Sequence, residues 1–229
     1  MRFESQLRTG KLLRRYKRFL ADVDVGNGEI VTMHCANTGA MTGCADPGSR
    51  VWYSRTTNTK RKYLFSWELV ETQKKELVCI NTLRANKVVR EALDNGFISI
   101  SADGDIRNEV PIEDESGRFD FGIGQTVIEV KSVTFGIGAG GGAFPDSISL
   151  RARRHTHALS RHCKSGKRGF LIFLSMHTGI DWVRPADEID PEYGKALRFA
   201  VTQGLEVLAF GCLVSSDEVR VNKKLQVVL

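Results

Sequence analysis

The hydrophobic pattern changes character near residue 85, and that change divides the chain into two unlike halves. Before it, apolar stretches are only strand-length: residues 19–25, 30–35, 51–53, 65–70 and 77–80, set apart by turn signals such as Gly26-Asn27-Gly28 and Pro47-Gly48. Short strands at this spacing, without a 3.6-residue period, predict a small all-β unit over residues 1–84, and a five-stranded OB-like Greek-key barrel is the candidate. Phe19 reads as part of its core. After residue 85, Val88, Val89, Ala92 and Leu93 trace a helical apolar face that stops at Asn95-Gly96, a helix C-terminal signal.

Further along, the acidic stretch 103–115 reads as loop. Residues 118–123 and 126–134 are strand-like runs joined by Gly124-Gln125, a pair suited to a tight type II′ hairpin. The glycine-rich segment 135–143 reads as a flexible loop. Its Gly136-x-Gly138-x-x-Gly141 resembles a dinucleotide fingerprint, but no helix opens directly and no acidic residue follows at the required distance. A helix is expected over 147–162, buried along Ile148, Ala152, His155, Leu159 and Cys163, then a buried strand over 169–175, a helix over 191–203 and a strand over 205–213. The fold class is therefore α+β with two domains: an OB-like barrel over 1–84, then an α/β domain with a mixed sheet over 85–229.

Charge follows the same division. Residues 1–84 hold 15 Lys and Arg against 8 Asp and Glu, whereas 85–229 hold 18 against 19. A basic first third points to a polyanionic partner, with nucleic acid foremost. Arg14, Arg15, Tyr16, Lys17 and Arg18, with Lys60, Arg61 and Lys62 near Tyr63, mix cations for phosphates with rings for base stacking. No acidic residue lies between Asp146 and Asp181, and Arg151, Arg154 and Arg161 fall on roughly one helix face within that interval. The longest apolar run, 170–176, is far short of the roughly 20 residues of a spanning helix, so no membrane is expected. Five scattered cysteines without a CxxC suit reduced thiols in a cytoplasm.

The most informative constellation is Asp120, Glu129 and Lys131. Side chains alternate along a strand, so Glu129 and Lys131 share a face. A hairpin closed at Gly124-Gln125 sets 123 against 126 and, counting outward, Asp120 against Glu129, with Cβ atoms about 4.5–5.5 Å apart. Two carboxylates that close need a cation or a proton between them, and a hard oxygen set with open positions favours Mg²⁺ or Mn²⁺. Lys131 beside them would assist a water in attacking a phosphodiester, the arrangement of PD-(D/E)xK nucleases. A salt-bridged strand face is the plain alternative for the spacing alone. No organic cofactor motif is present, and His155 and His157, two apart on a helix, do not face a common metal. His155 reads as a core or site-edge histidine.

Several runs together resemble one bacterial family: residues 15–23 (RYKRFLADV), 34–41 (HCANTGAM), 58–63 (NTKRKY), Trp67-Glu68, 129–134 (EVKSVT), 144–146 (FPD) and 185–190 (PADEID). The chain is similar over nearly its whole length to the sugar fermentation stimulation protein family (SfsA). That resemblance implies an OB-like barrel joined to a PD-(D/E)xK nuclease-like domain, DNA binding, and a link to regulation of maltose and other sugar catabolism. It implies catalytic roles for Asp120, Glu129 and Lys131, and for Glu91 as the helix carboxylate beside the metal. The leading expectation is a cytoplasmic, weakly sequence-specific DNA-binding protein, acting on single or double strands, with nucleoid association and a homodimer both compatible. The alternative expectation is a divalent-metal-dependent nuclease.

Overall fold

The computed structural model of the chain describes residues 1–113 and 115–229, and its first part is a closed barrel. The barrel strands are β1 (Arg8–Tyr16), β2 (Leu20–Gly26), β3 (Glu29–Cys35), β4 (Arg50–Arg55) and β5 (Phe65–Glu71). β1 pairs antiparallel with β2 and β4, β2 with β3, and β4 with β5. A short parallel pairing, His34 opposite Ser66 and Cys35 opposite Trp67, joins β3 to β5 and closes the ring in OB order. Leu12, Val23, Met33, Val51 and Trp67 fill the interior.

The five strands are not the five that the sequence pattern suggests. β1 shows no strand-like alternation, because only Leu12 along it is buried and four of its nine residues are Arg or Lys. It crosses β2 so closely that a Cβ at Gly10 would lie 2.5 Å from the Val23 side chain. The run 77–80 forms β6 (Leu77–Cys79), an outer strand on β5. Phe19, expected in the core, is 44% exposed on the β1–β2 turn.

The second part begins with α1 (Ala85–Asp94) and builds a nine-stranded mixed sheet. Its strands are β7 (Ile106–Pro111), β8 (Arg118–Ile123), β9 (Thr126–Val133), β10 (Phe135–Gly138), β11 (Gly141–Phe144), β12 (Gly169–Ser175), β13 (Trp182–Pro185), β14 (Glu206–Val214) and β15 (Val219–Val227). The order is β10-β11-β13-β15-β14-β12-β9-β8-β7, with β9, β12 and β14 parallel at the centre. α2 (Leu150–Lys164) and α3 (Pro191–Thr202) cover one face; α1 packs on the other.

Three expectations need correction. The acidic loop contains β7, whose alternation is broken at Glu109, a left-handed residue (φ 55°); Asp114 lies outside the described residues. The glycine-rich segment is the β10–β11 hairpin, packed so tightly that a Cβ at Gly141 or Gly142 would meet Trp182 or Ile180 below 3 Å. Its small residues make room for the neighbouring structure and do not signal a loose loop. Ile148 is exposed, because α2 starts later, at Leu150, with the Ser149 hydroxyl accepting from the Ala152 N–H.

Barrel and α/β domain share a core. Leu7, Trp52, Leu69 and Cys79 from the barrel side pack in one cluster with Val88 and Val89 of α1, Met176, and Phe210 of β14. Ahead of β1, Phe3 donates its N–H to the Asp217 carbonyl beside β15. All five cysteines are buried and free. Among the described residues no helix is long and apolar enough to cross a membrane.

Candidate functional site

The β8–β9 hairpin sets the site. Gly124 supplies the positive φ (56°) that the turn needs, and the ladder runs Ile123–Thr126, Gly122–Val127 and Phe121–Ile128, as the turn chemistry dictates. The ladder stops one pair short of Asp120 and Glu129. Phe121 packs in the α1-side cluster and Phe119 in the α2-side cluster, so β8 turns over about Asp120. Asp120 Oδ2 accepts the Val130 N–H at 2.7 Å, and Oδ1 accepts from Asn86 Nδ2 of α1, also at 2.7 Å.

Glu129 and Lys131 share a face of β9 and are both buried. One carboxylate oxygen, Glu129 Oε1, takes Lys131 Nζ at 2.5 Å and His155 Nδ1 at 2.7 Å. The other, Oε2, is buried and has no hydrogen-bond donor. Burial raises Glu129, but Lys131 and His155 outweigh it and hold the carboxyl below its usual range. Asp120 goes the other way: burial first, then the Glu129 charge, push it up to about 6. The two carboxylates are thus inequivalent, one charge-balanced and one short of positive charge.

A cleft of about 390 Å³ opens over this cluster. Its floor is Asp120, Glu129 and Lys131; one wall is Phe144–Ser147 with Ser149 and Arg151; and its roof is the barrel segment Asn37-Thr38-Gly39. The roof is clamped by residues that the sequence suggested for nucleic acid. Arg15 Nη2 donates to the carbonyls of Arg18, Asn37 and Gly39, and the Arg18 guanidinium donates to the Thr38 carbonyl. Asp146 ties the roof to the wall by accepting the Met41 N–H at 2.9 Å, and a Cβ at Gly39 would fall 2.1 Å from its carboxylate.

The other candidate residues are dispersed. Glu91 makes no contact with the cluster: its carboxylate pairs with the Met1 ammonium, and Asn86 is the α1 side chain that reaches Asp120. Arg14 is exposed, pairs with Asp22 at 2.8 Å and stacks over Tyr16, whose hydroxyl also donates to Asp22. Lys17, Lys60, Arg61 and Lys62 are exposed on barrel turns, with Lys62 over the Tyr63 ring. Arg151 lines the cleft, Arg154 is exposed, and Arg161 pairs with Glu115 at 3.0 Å. Sequence reasoning missed Asn86 and the roof 37–39 as site residues; the 34–41 run carried the only sign of the latter.

No group of three His, Cys, Asp or Glu side chains poised for a metal occurs among the described residues. The donors nevertheless suit a hard cation held in the Mg²⁺ manner, by one or two carboxylates with water and phosphate completing the shell. Glu129 Oε2 lacks any partner, and Asp120 carries excess negative potential. Asp120 and Glu129 are the residues that would hold it.

Comparisons with known proteins agree over the whole chain. Residues 13–80 match the family described as the SfsA N-terminal OB domain, and residues 83–218 the one described as the sugar fermentation stimulation protein RE domain. The sugar fermentation stimulation protein homolog of Pseudomonas syringae pv. syringae is 46% identical over 99% of this chain and 98% of its own length. That of Pseudomonas paraeruginosa is 46% identical over 100% of both. Among solved structures, that of Pyrococcus furiosus SfsA in complex with Ca²⁺ superposes with a TM-score of 0.87 at 21% identity, covering 100% of this chain and 98% of the other.

Proposed function

The chain belongs to the sugar fermentation stimulation protein family, SfsA, and from that footing we propose that it is a DNA-binding protein that brings a backbone phosphate to a divalent cation in the cleft between barrel and sheet. The observation that carries this reading is the buried Asp120–Glu129 pair, with one carboxylate oxygen lacking a donor and one carboxyl raised to about 6. Buried charge without compensation is costly, and a cation relieves it. That the related P. furiosus SfsA was solved in complex with Ca²⁺ supports an oxygen-seeking ion. Mg²⁺ or Mn²⁺ would be accommodated by the same two carboxylates. Exposed Lys17, Lys60 and Lys62 and the cleft-lining Arg151 supply phosphate contacts, and no recognition helix enters the reading, so binding is weakly sequence-specific. The family name, sugar fermentation stimulation, supports reading this binding as part of the regulation of sugar catabolism, with maltose among the sugars proposed.

Hydrolysis of the phosphodiester is the second reading, and Lys131 favours it. A pure binding site has no need of a buried ammonium on the same carboxylate that serves the cation. When bound, the ion would supply Lewis-acid stabilisation of charge on the phosphate. The chain itself does the rest: Asn86 and the Val130 N–H orient Asp120, His155 and Lys131 fix Glu129, and the Lys131 ammonium holds the adjacent water in place. The cleft walls limit bulk water.

The test is DNA binding by the full chain in Ca²⁺ and in EDTA, across a salt series, with cleavage followed in Mn²⁺. Affinity should fall steeply with salt and rise with the cation, and Asp120→Asn should remove only the cation-dependent part. Equal affinity in EDTA and Ca²⁺ would refute the cation's part in binding. Absence of cleavage in Mn²⁺ would leave binding as the function and discard hydrolysis.

A further inference from the structure

The cluster sits deep. Glu129 and Lys131 side chains are 4% and 10% exposed, beneath a roof tied to both Arg15 and Asp146. A phosphate on the outside of a duplex is carried on a thick, stiff rod, whereas one on a single strand is carried on a flexible backbone that can thread under the roof.

The rims of the cleft have a second property. Leu83, between barrel and α1, is 69% exposed, and Ile148 and Leu150 are 67% and 74% exposed. Leu83 lines the cleft directly; Ile148 and Leu150 alternate with Ser147, Ser149 and Arg151, which line it from the opposite wall. Large apolar side chains thus stand outward on both sides of a polar channel lined by Asp120, Glu129 and Asp146 together with Lys131 and Arg151. Beyond Leu83 the surface continues into a second depression of about 350 Å³, lined by Arg55, Arg61, the hydroxyls of Ser54 and Ser66, and Lys87, whose ammonium pairs with Glu4 at 3.8 Å on the same rim. Leu83 is the ridge between the two, because it lines both. Arg55 and Arg61 have no acidic partner among the described residues.

A carboxylate pair that would bring a phosphate in through a cation, and an arginine-lined depression that would take one directly, lie on either side of an apolar ridge and match one ligand chemistry, a nucleic-acid strand with unstacked bases. Apolar side chains pack against or between base faces, which an unstacked strand exposes freely and a duplex yields only by being kinked at a cost of about a few kcal/mol per step, and cations take the flanking phosphates. We infer that the cleft is built for single-stranded DNA, running from the Asp120–Glu129 cluster over Leu83, which packs against a base, into the Arg55–Arg61 depression on the barrel. This inference rests on the DNA reading above and specifies its substrate form.

The experiment uses the full chain in Ca²⁺ and two fluorescently labelled probes, a 20-nucleotide single strand of mixed sequence and the same sequence as a blunt duplex. Wild type should bind the single strand at least tenfold more tightly. Leu83→Ser combined with Leu150→Ser, both exposed and so harmless to the core, should cut single-strand affinity about tenfold, the lower range of one lost base contact, and leave duplex affinity unchanged. Arg61→Ala should lower the salt dependence of single-strand binding by about 0.7 in the logarithmic slope. A duplex bound as tightly as the strand, or an unaltered strand affinity in the Leu variants, overturns the inference while DNA binding stands. If the Leu variants change the oligomeric state and not DNA affinity, the rim is a protein interface and the inference is wrong. Binding to neither probe removes the DNA reading and this one with it.

Discussion

Replacing Asp120 by Asn should make the metal-free protein more stable at neutral pH, the opposite of what removing a site residue is usually expected to do. In the fold the carboxyl is pushed up to about 6, against an ordinary value of 3.8. A raised carboxyl means that the ionised form is disfavoured by folding, so its contribution is fully present below about pH 3.8, where both states are protonated, and is lost as pH climbs to 6. Two units at about 1.36 kcal/mol each give a penalty of up to roughly 3 kcal/mol above pH 6 in the absence of a cation. Asn removes that penalty and keeps the shape: its oxygen still accepts the Val130 N–H, and a rotated Asn86 amide can accept from the new NH₂ group. At about 2–4 °C per kcal/mol for a chain of this size, the melting temperature in EDTA at pH 8 should rise by several degrees, with the gain absent at pH 4.

A cation reverses the order. Wild type should gain about 2.7 kcal/mol at a hundredfold excess over the dissociation constant, and Asp120→Asn should gain little. Scanning calorimetry at pH 4 and 8, in EDTA and in Mg²⁺ or Ca²⁺, reads all four corners. A variant less stable than wild type in EDTA at pH 8 would falsify the account, since Asp120 would then be held by its hydrogen bonds and not repelled by Glu129.

Other substitutions probe the frame of the site. Arg84→Ala leaves the fully buried Glu68 without its bidentate partner (2.6 and 3.0 Å), and denaturant melts should show a loss of about 3–5 kcal/mol; a loss under 1 kcal/mol would mean that Asn81 and Ser54 satisfy Glu68 alone. Gly39→Ala drives a Cβ into the Asp146 carboxylate, so cation-dependent DNA affinity should fall with only a small change in melting temperature; an unaffected affinity would detach the roof from the site. A fragment of residues 1–84 should give poorly cooperative melts and broad amide resonances, because Leu7, Trp52, Leu69 and Cys79 would lose the α/β side of their cluster; sharp, dispersed spectra would show that the barrel stands alone.

The parts of this architecture legible in the sequence are those in which a local rule acts alone. The Gly124-Gln125 turn fixes a register, and the register places Glu129 and Lys131 on one face with Asp120 nearby. β12 reads as buried because every residue from Gly169 to Ser175 is buried. β1 was illegible because Arg8, Lys11, Arg14 and Arg15 break up any apolar alternation and its inward side is served by Leu12 and by a glycine pressed on Val23. β10 and β11 were illegible because their glycines answer to Trp182 and Ile180, more than 35 residues away. The helix contribution depended on which side of α1 meets β8: Asn86 faces Asp120, and Glu91, five residues on, faces the Met1 ammonium instead. His155 belongs both to the core and to the site, a position on the apolar stripe of α2 whose ring nitrogen lies on Glu129 Oε1.

These placements change what the basic surface of the barrel is for. Arg15 and Arg18 direct part of their guanidinium groups at backbone carbonyls, Arg15 Nη2 at those of residues 18, 37 and 39 and Arg18 at that of Thr38, so swinging either group wholly onto a phosphate would release the roof. Their charge still contributes to the field over the cleft, but their bonds hold the roof. In the proposed DNA complex, direct phosphate contact falls mainly to Lys17, Lys60, Arg61 and Lys62 on the turns, to Arg55, and to Arg151 on the wall. The barrel accordingly has two roles in one object: its turns supply charge, and its β3–β4 segment, locked through Asp146 to the glutamate-bearing sheet, closes the cleft above the carboxylates. A rigid roof of this kind keeps the polar cluster screened from bulk solvent, which is the condition under which an Asp at about 6 and an unpartnered Glu oxygen give a cation its advantage.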